Sequence, residues 1–404
     1  MGNTACFRGG PLSAFWHHDQ QTSFHNRFTV TLDHRVDGRM LGEAWEATKE
    51  VYPLIDCVPR AENREIVFYP GEGENEPILS EAPVRPGSEL CGKRAFALSY
   101  YERSITMVAY HSVVDGGGIK MIFSTLLFEY LALYTGTRDE HPPVETRTRR
   151  SPETYYQSLA GTQVDEFELQ PLMTHPRRQG MFCDVSMEGS EGDPKIARIK
   201  FSKAEFIPAI KAIGANPSAM LCILMAKAAY ALHPTKRGNL SFSLTMSARV
   251  VFDKSDSIAN FSISLNLPVE YEDVAGDDLP SVARKVRAAI NKQRSLDYIM
   301  TQAAFCETYD WIMGASFSEL TYMGTLDIGA NTCHIVDFEM TDQRKSSVFL
   351  MELNDEFIMS FELGDPSDVY MQTVVNILGD FGVAAELVAP AHTVLSEITE
   401  MQND

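Results

Sequence analysis

None of the seven cysteines (Cys6, Cys57, Cys91, Cys183, Cys222, Cys306, Cys333) forms a C-x-x-C pair, and their odd number leaves one over. That suits a reducing compartment better than a disulfide framework. Positive charge is also scarce: 35 Lys and Arg stand against 55 Asp and Glu, a net charge of −20. Such a chain has no basic footprint for nucleic acid, and any anionic ligand needs a local positive patch against the overall field. The most apolar run, residues 121–134, is short for a bilayer span and contains Glu129. The opening MGNTACFRGG has no apolar signal region, and Cys6 stands where a myristoylation signal would carry Ser or Thr. The expectation is a soluble, cytoplasmic protein with no membrane span. A G-x-x-x-x-G-K loop and a dinucleotide fingerprint are both missing, so ATP and NAD have no visible home.

What is present is ordinary for a globular enzyme: 44% hydrophobic and 22% charged residues. A length of 404 residues exceeds what one core usually serves, so two domains or subdomains are expected. In RFTVTLD, Phe28, Val30 and Leu32 alternate as in a strand. Asp37 is placed to cap a helix with Leu41, Ala44, Trp45 and Thr48 on one face, stopped by Pro53. Strands follow around 65–69, in AFALSYY and in SITMVAYH. A helix from Gly117 to Tyr134 shows Ile119, Phe123, Leu126 and Tyr130 on one face, with Gly136 just beyond it. Residues 137–190 turn rich in Pro, Arg and polar residues and read as a link between halves. The second half opens with ARIKF, then a capping box at Ser202 and Glu205, and a helix starting at Asn216-Pro217-Ser218. Further strands are expected in NLSFSLTM, NFSISLNLPVEY, ELTYMGTL and HIVDFEM, with a helix over LPSVARKVRAAINKQR. A hairpin turns at Asn354-Asp355, and a last helix covers 367–380.

The stretch with chemistry in it is VAYHSVVDGGGIKM. A strand ends on His111, the glycines after Asp115 let backbone approach a ligand, and a helix N-terminus follows with unpaired N–H groups. Histidine titrates near neutrality and is suited to take a proton from a hydroxyl or amine that attacks an acyl group. Asp115, so close to an apolar helix, needs a cation or backbone donors. The plainer alternative is a strand–turn–helix corner in which His111 only caps.

His-x-x-x-Asp-Gly at a strand end before an apolar helix resembles the signature of the chloramphenicol-acetyltransferase-like superfamily, which includes condensation domains and related alcohol acyltransferases. The first strand and helix, ending at Tyr52-Pro53-Leu54, resemble the family's opening. Arg249, Asn260 and Phe261 match its Arg-containing strand and the Asn-Phe strand after it, and Tyr322 and Gly324 match a later Ser-Tyr-x-Gly strand. The resemblance implies an α/β fold of two similar subdomains, here 1–175 with the motif and 176–404, forming a V around a central tunnel. It implies direct acyl transfer from a thioester, of coenzyme A or of a carrier-bound phosphopantetheine, to a hydroxyl or amine. No metal and no tightly bound cofactor take part. His111 becomes the general base, Asp115 a structural residue ion-paired to Arg249, and Gly116 the point where the tunnel meets backbone. Tyr110, Asn260, Tyr322 and Gly324 are candidate tunnel or substrate-contacting residues. Tyr110 departs from the pattern, since many members carry histidine there; strand alternation turns residue 110 away from the face of His111. The alternatives are a non-catalytic binding or scaffold protein and an amide-forming, carrier-dependent condensation enzyme. Partners are then the acceptor, the thioester donor and, in the carrier case, an acyl or peptidyl carrier protein; a monomer is expected because two halves supply both tunnel walls.

Trp16-His17-His18-Asp19 with His25 is not read as a metal site, because neighbouring histidines on a strand face opposite ways. His175, His233 and His334 stand alone and read as surface or turn residues. Arg147, Arg149, Arg150, Arg177 and Arg178 read first as a solvated linker, with phosphate binding the alternative. Most of the 18 methionines are expected in the core, with a few lining an adaptable tunnel.

Overall fold

Strand β2 (His25–Leu32) buries Phe28, Val30 and Leu32 completely while its threonines face away, the period-2 alternation of a half-buried strand. The computed structural model describes residues 7–8, 25–62, 65–138, 195–235, 239–253, 255, 257–276, 278–299, 318–342, 346–363 and 368–388. Strand β2 pairs antiparallel with β7 (Ser104–Tyr110) and β7 with β6 (Phe96–Tyr101), while β6 runs parallel to the short β5 (Ile78–Leu79). Helix α1 (Gly38–Val51) starts where the Asp37 carboxylate accepts from the N–H groups of Arg39 and Met40. Its buried residues are Leu41, Ala44, Trp45 and Thr48, the face that the spacing predicts.

A small antiparallel sheet of β1 (Phe7–Arg8), β4 (Glu65–Pro70) and β3 (Cys57–Glu62) lies beside it. Pro59 hides β3 in the sequence; β3 is an edge strand, where a missing N–H can face outward. Helix α2 (Gly116–Thr135) ends at Gly136 in the left-handed conformation (φ 68°). One-sided burial does not describe it: Ile122, Leu127, Phe128 and Leu131 are buried along with Ile119, Phe123, Leu126 and Tyr130. The helix packs against α1 and β2 and also against a strand of the second half, β11 (Ser318–Leu326). By length and composition it is apolar enough to cross a membrane, and most of it is buried inside this fold.

The second sheet has seven strands in the order β10-β9-β11-β13-β14-β8-β15. They are β10 (Ser262–Glu270), β9 (Asn239–Ser247), β11, β13 (Ser346–Leu353), β14 (Glu356–Leu363), β8 (Lys195–Ser202) and β15 (Ala385–Val388). Helices α3 (Lys203–Ala212), α4 (Pro217–Leu232), α6 (Leu279–Gln293) and α7 (Asp368–Asp380) pack with it, and α5 (Tyr271–Ala275) follows β10. Asn216 caps α4 through Ala219 N–H at 2.8 Å, and His233 closes it. The capping box of α3 does not form. The Ser202 side chain makes no cap bond, and Glu205 accepts instead from the backbone N–H of Ala384, beside β15 (2.8 Å). Strand β13 is buried on both faces: Val348 and Leu350 join the second core, Phe349, Met351 and Leu353 the first.

Strand β12 (Ile335–Thr341) belongs by sequence to the second half and by pairing to the first. It runs antiparallel to β2 at the sheet edge, with Phe338 opposite Val30. The boundary expected near residue 175 lies outside the described residues. Phe338, 2% exposed, meets Phe28 ring to ring at 5.3 Å. Phe338→Ala should therefore lower stability by about 3–5 kcal/mol in urea denaturation; a loss under about 1 kcal/mol would mean that β12 is not built into the first core.

Candidate active site

His111 follows the last residue of β7 and leads through Val114 into α2, whose N-cap is Asp115. The Asp115 Oδ1 accepts from Gly118 N–H at 2.7 Å, satisfying one of the orphan donors of the first turn. The remaining bonds of this carboxylate come from the other half of the chain. Arg249 donates through both terminal nitrogens, Nη1 to Oδ2 at 2.9 Å and Nη2 to Oδ1 at 2.7 Å, and Phe261 N–H donates to Oδ2 at 2.8 Å. Arg249 spends its other donors on Ser257 O (2.7 Å), Ser247 Oγ (3.1 Å) and Ala259 O (2.5 Å), and its guanidinium lies 5.5 Å over the Phe261 ring. The guanidinium thus has a partner for each of its five N–H bonds, as a buried charge requires. A single bridge between Val114 and Ala259 completes the seam.

The glycines after Asp115 have distinct reasons. A Cβ on Gly118 would stand 2.0 Å from the Ile258 carbonyl oxygen, so the approach of the second half needs glycine there. A Cβ on Gly116 would meet only the methionine tips of Met340 (3.0 Å) and Met323 (3.2 Å). These flexible thioethers lie beside a cavity of about 370 Å³ lined by both halves of the chain. His111, Asp115, Gly116 and Gly117 contribute from the first half, and Leu244 to Ser247, Ser262 and Thr321 to Met323 from the second.

His111 is 9% exposed and faces this cavity. Asn260 holds it: the amide nitrogen donates to the His111 carbonyl oxygen at 2.9 Å and lies 3.3 Å from Nδ1. The amide orientation is set from behind, because Asn260 Oδ1 accepts from Ser262 N–H (3.0 Å) and Ser262 Oγ (2.6 Å). Asn260 is therefore a support for the histidine and is not among the residues lining the cavity. Tyr322 lines it. Tyr110 does not: strand alternation turns its ring the other way, 5.2 Å from His25, with the hydroxyl against Gly87. Gly324 does not line it either. It forms a bulge in β11 (φ 69°), which leaves Met323 as the extra residue with its side chain on the cavity.

Several groups here carry no signal in the sequence. Asn26 lines the cavity beside His111 with its Nδ2 on Val114 O (3.0 Å) and its buried Oδ1 without a hydrogen-bond partner among the described residues. Asp342 and Met340, at the end of the crossing strand, line it as well. Behind the bulge, Lys120 donates to Met323 O at 2.6 Å. Burial lowers the Lys120 ammonium from 10.5 to about 8, with Glu352 opposing the shift. Burial would raise the Glu352 carboxyl, but hydrogen bonds from Lys203 (2.6 Å) and from Tyr322 outweigh it and hold it below the ordinary range. Burial, then the bond to Glu352, pushes the Tyr322 phenol up. The N-terminal histidines 17 and 18, His175 and the arginines from 147 to 178 lie outside the described residues.

No known family model matches the sequence, and no curated protein is similar to it in sequence. Solved structures are similar to it in fold. A trichothecene 15-O-acetyltransferase from Fusarium sporotrichioides superposes at a TM-score of 0.66 and 11% identity, covering 94% of each chain. The first condensation domain of the CDA synthetase gives 0.65 at 12% identity, over 94% of this chain and 95% of that one. A second F. sporotrichioides protein, TRI101, complexed with coenzyme A and T-2, gives 0.62 at 13% identity, over 91% and 96%. The chain has the mixed α/β, chloramphenicol-acetyltransferase-like fold of condensation domains and trichothecene acetyltransferases.

Removing one partner of a buried ion pair strands the other charge. Asp115→Asn and Arg249→Gln should each cost about 3–5 kcal/mol in urea denaturation. The double variant should cost at least about 1 kcal/mol less than their sum; strictly additive losses would show that the two side chains are not coupled. Lys120 makes a separate expectation. Below pH 8 it is charged in both folded and unfolded chains, and the folded one bears the full burial cost. Between about 8 and 10.5 the unfolded chain holds a proton that the folded chain has released, so stability rises with pH. Measured against Lys120→Met, which cannot titrate, the wild type should gain stability across that window and run parallel below pH 7. Parallel curves throughout would mean an ordinary, solvated lysine.

Proposed function

We propose that the protein is an acyltransferase that moves an acyl group from a thioester to a hydroxyl or amine acceptor, with His111 as general base. One observation carries this reading: His111 faces a cavity formed between the two halves of the chain, on a loop clamped by the Asp115–Arg249 pair. A histidine that only capped the strand would have no cause to face 370 Å³ of space. The fold it shares with acetyltransferases and condensation domains adds support. In this reading residues 1–175 and 176–404 are the two subdomains whose junction forms the site.

The acceptor's O–H or N–H gives its proton to the imidazole as its oxygen or nitrogen attacks the thioester carbonyl. A tetrahedral intermediate forms with negative charge on the former carbonyl oxygen. When it collapses, the C–S bond breaks, and the thiolate takes the proton back from the imidazolium, leaving ester or amide and free thiol. The side of the ring that carries Nδ1 lies against Asn260, so Nε2 is the nitrogen on the far side. Backbone N–H groups at the start of α2, where Gly116 and Gly117 line the cavity, are placed to receive the oxyanion. The Asn26 Oδ1, which has no partner among the described residues, offers a hydrogen-bond acceptor to a substrate N–H or O–H. At the rim, the exposed Arg294 is a cation suited to an anionic donor such as a coenzyme A thioester or a phosphopantetheine arm.

Thiol release from a panel of acyl-CoA thioesters, with mixed alcohol and amine acceptors, tests the reading. Acceptor-dependent release should fall at least about a hundredfold in His111→Ala. Equal release by both proteins would refute His111 as the base. Release by neither, with carrier-bound thioesters also inert, would leave a binding protein that keeps the fold.

A further inference from the structure

His334, isolated in the sequence, is not isolated in space. Asp33 and His34 directly follow β2, and His334 directly precedes β12, the crossing strand that pairs with β2. The three side chains converge. His34 Nδ1 lies 2.5 Å from Asp33 Oδ1, and His334 Nδ1 lies 2.9 Å from Asp33 Oδ2. All the ligating atoms lie within 4.8 Å of one another. We propose that Asp33, His34 and His334 form a binding site for a divalent transition-metal ion of the zinc type, which clasps the crossing strand to the first sheet.

The donor set is the first reason. Two imidazole nitrogens and a carboxylate that presents one oxygen to each of them are the ligands that Zn²⁺ and its neighbours take, at about 2.0–2.2 Å. Donors around such an ion stand roughly 3 Å apart, so the 2.5 and 2.9 Å spacings need only a small opening. Both histidines aim the same atom, Nδ1, at the carboxylate, although they lie 300 residues apart in the chain. The second reason is the support behind the ligands. The His34 ring lies flat on Tyr134, with centroids 3.5 Å apart and planes 3° apart, and its Nε2 is 3.4 Å from the Tyr130 hydroxyl. That hydroxyl in turn accepts from Asp37 N–H at 3.1 Å. Outer contacts of this kind fix the ring orientation of a metal-ligating histidine and raise affinity. The backbone adds a further tie, with Asp33 N–H donating to His334 O at 3.0 Å. Asp33 is 44% exposed, which leaves a coordination position open to water. The neighbouring Cys333 turns its thiol to Ala330 O, 3.3 Å away, rather than into the cluster.

The site is structural by position. Residue 25, at one end of β2, pairs with Tyr110 beside the active-site loop, whereas Leu32, at the other end, pairs with Ile335. An eight-residue strand puts these ends on the order of 20 Å apart. The ion is therefore remote from His111, and the proposal does not depend on the acyltransfer reading. Without a metal the same atoms make a hydrogen-bonded His–Asp–His clasp, and the experiment must separate the two.

Cobalt(II) titrated into the full chain should give the intense visible bands of a low-coordinate site, displaced by one equivalent of Zn²⁺. Zinc should also raise the melting temperature of the wild type. In His334→Ala the bands and the zinc-induced rise should vanish, with zinc affinity down at least about a hundredfold, the upper end of what outer-shell changes alone cost. Asp33→Asn, which keeps the side chain's shape, should weaken binding in the same direction. Circular dichroism of the metal-free variants confirms that they fold. Absence of the bands in the wild type, or bands and zinc affinity unchanged in His334→Ala, would overturn the site and leave the hydrogen-bonded clasp.

Discussion

The Asp115–Arg249 ion pair is the constraint on which the rest of the site depends. Two charges buried to a few per cent exposure are tolerable only with every donor and acceptor occupied, and here they are. Asp115 caps α2, takes both arms of Arg249 and receives Phe261 N–H, while Arg249 ties down Ser257 and Ala259. One pair of side chains thereby sets the start of a helix in the first half and the path of the β9–β10 connection in the second. His111 and Asn260 inherit their meeting from it, because each sits within four residues of a group that the pair holds. The cost of losing one charge in such a place is what keeps the two halves in a single registration.

Around this fixed point the cavity mixes rigid and soft walls. Backbone at Gly118 and the amide of Asn260 have no room to move, whereas Met323 and Met340 meet over Gly116 with unbranched, polarizable side chains. A rigidly held histidine thus stands beside an adaptable apolar wall. The bulge at Gly324 belongs to the soft side. It thrusts Met323 onto the cavity, and its carbonyl is the atom that Lys120 holds from behind. The acidic network of Glu352, Tyr322 and Lys203 surrounds that arrangement and keeps the carboxylate charged.

Strand β12 binds the architecture a second time. Its Phe338 and Met340 enter the first core, its Glu339 pairs with the buried Arg27 at 2.7 Å, and its Asp337 bonds to Arg198 on β8. Along this strand, charge is used in pairs that join it to β2 and β8. The two ends of the β2–β12 ribbon have separate chemistry: the cavity with Asn26, Met340 and Asp342 at one, and the Asp33–His34–His334 cluster at the other.

The sequence by itself determined what depends on local rules. Period-2 alternation marks β2, helical spacing with Asp37 and Asn216 as caps marks α1 and α4, and Gly136 marks the end of α2. The resemblance carried by His111, Asp115 and Gly116 led to the fold that the solved structures share. Signals of this kind reside within a few residues, so no tertiary information is needed to read them. Tertiary structure decided everything that joins distant segments. The placement of β12 in the first sheet, the loss of the Ser202 cap to a longer-range bond of Glu205, and burial on both sides of α2 all follow from neighbours contributed by remote chain. Asn26, Met323, Asp342 and Lys120 were illegible for the same reason, since nothing in their own surroundings in the sequence distinguishes them from ordinary strand and helix residues. Strand β3 was likewise not read from the sequence, since only the sheet order shows that the strand carrying Pro59 is an edge. A periodicity records which face of an element is apolar, but the partner that covers the face, and hence the chemistry at the seam, exists only once the halves have met.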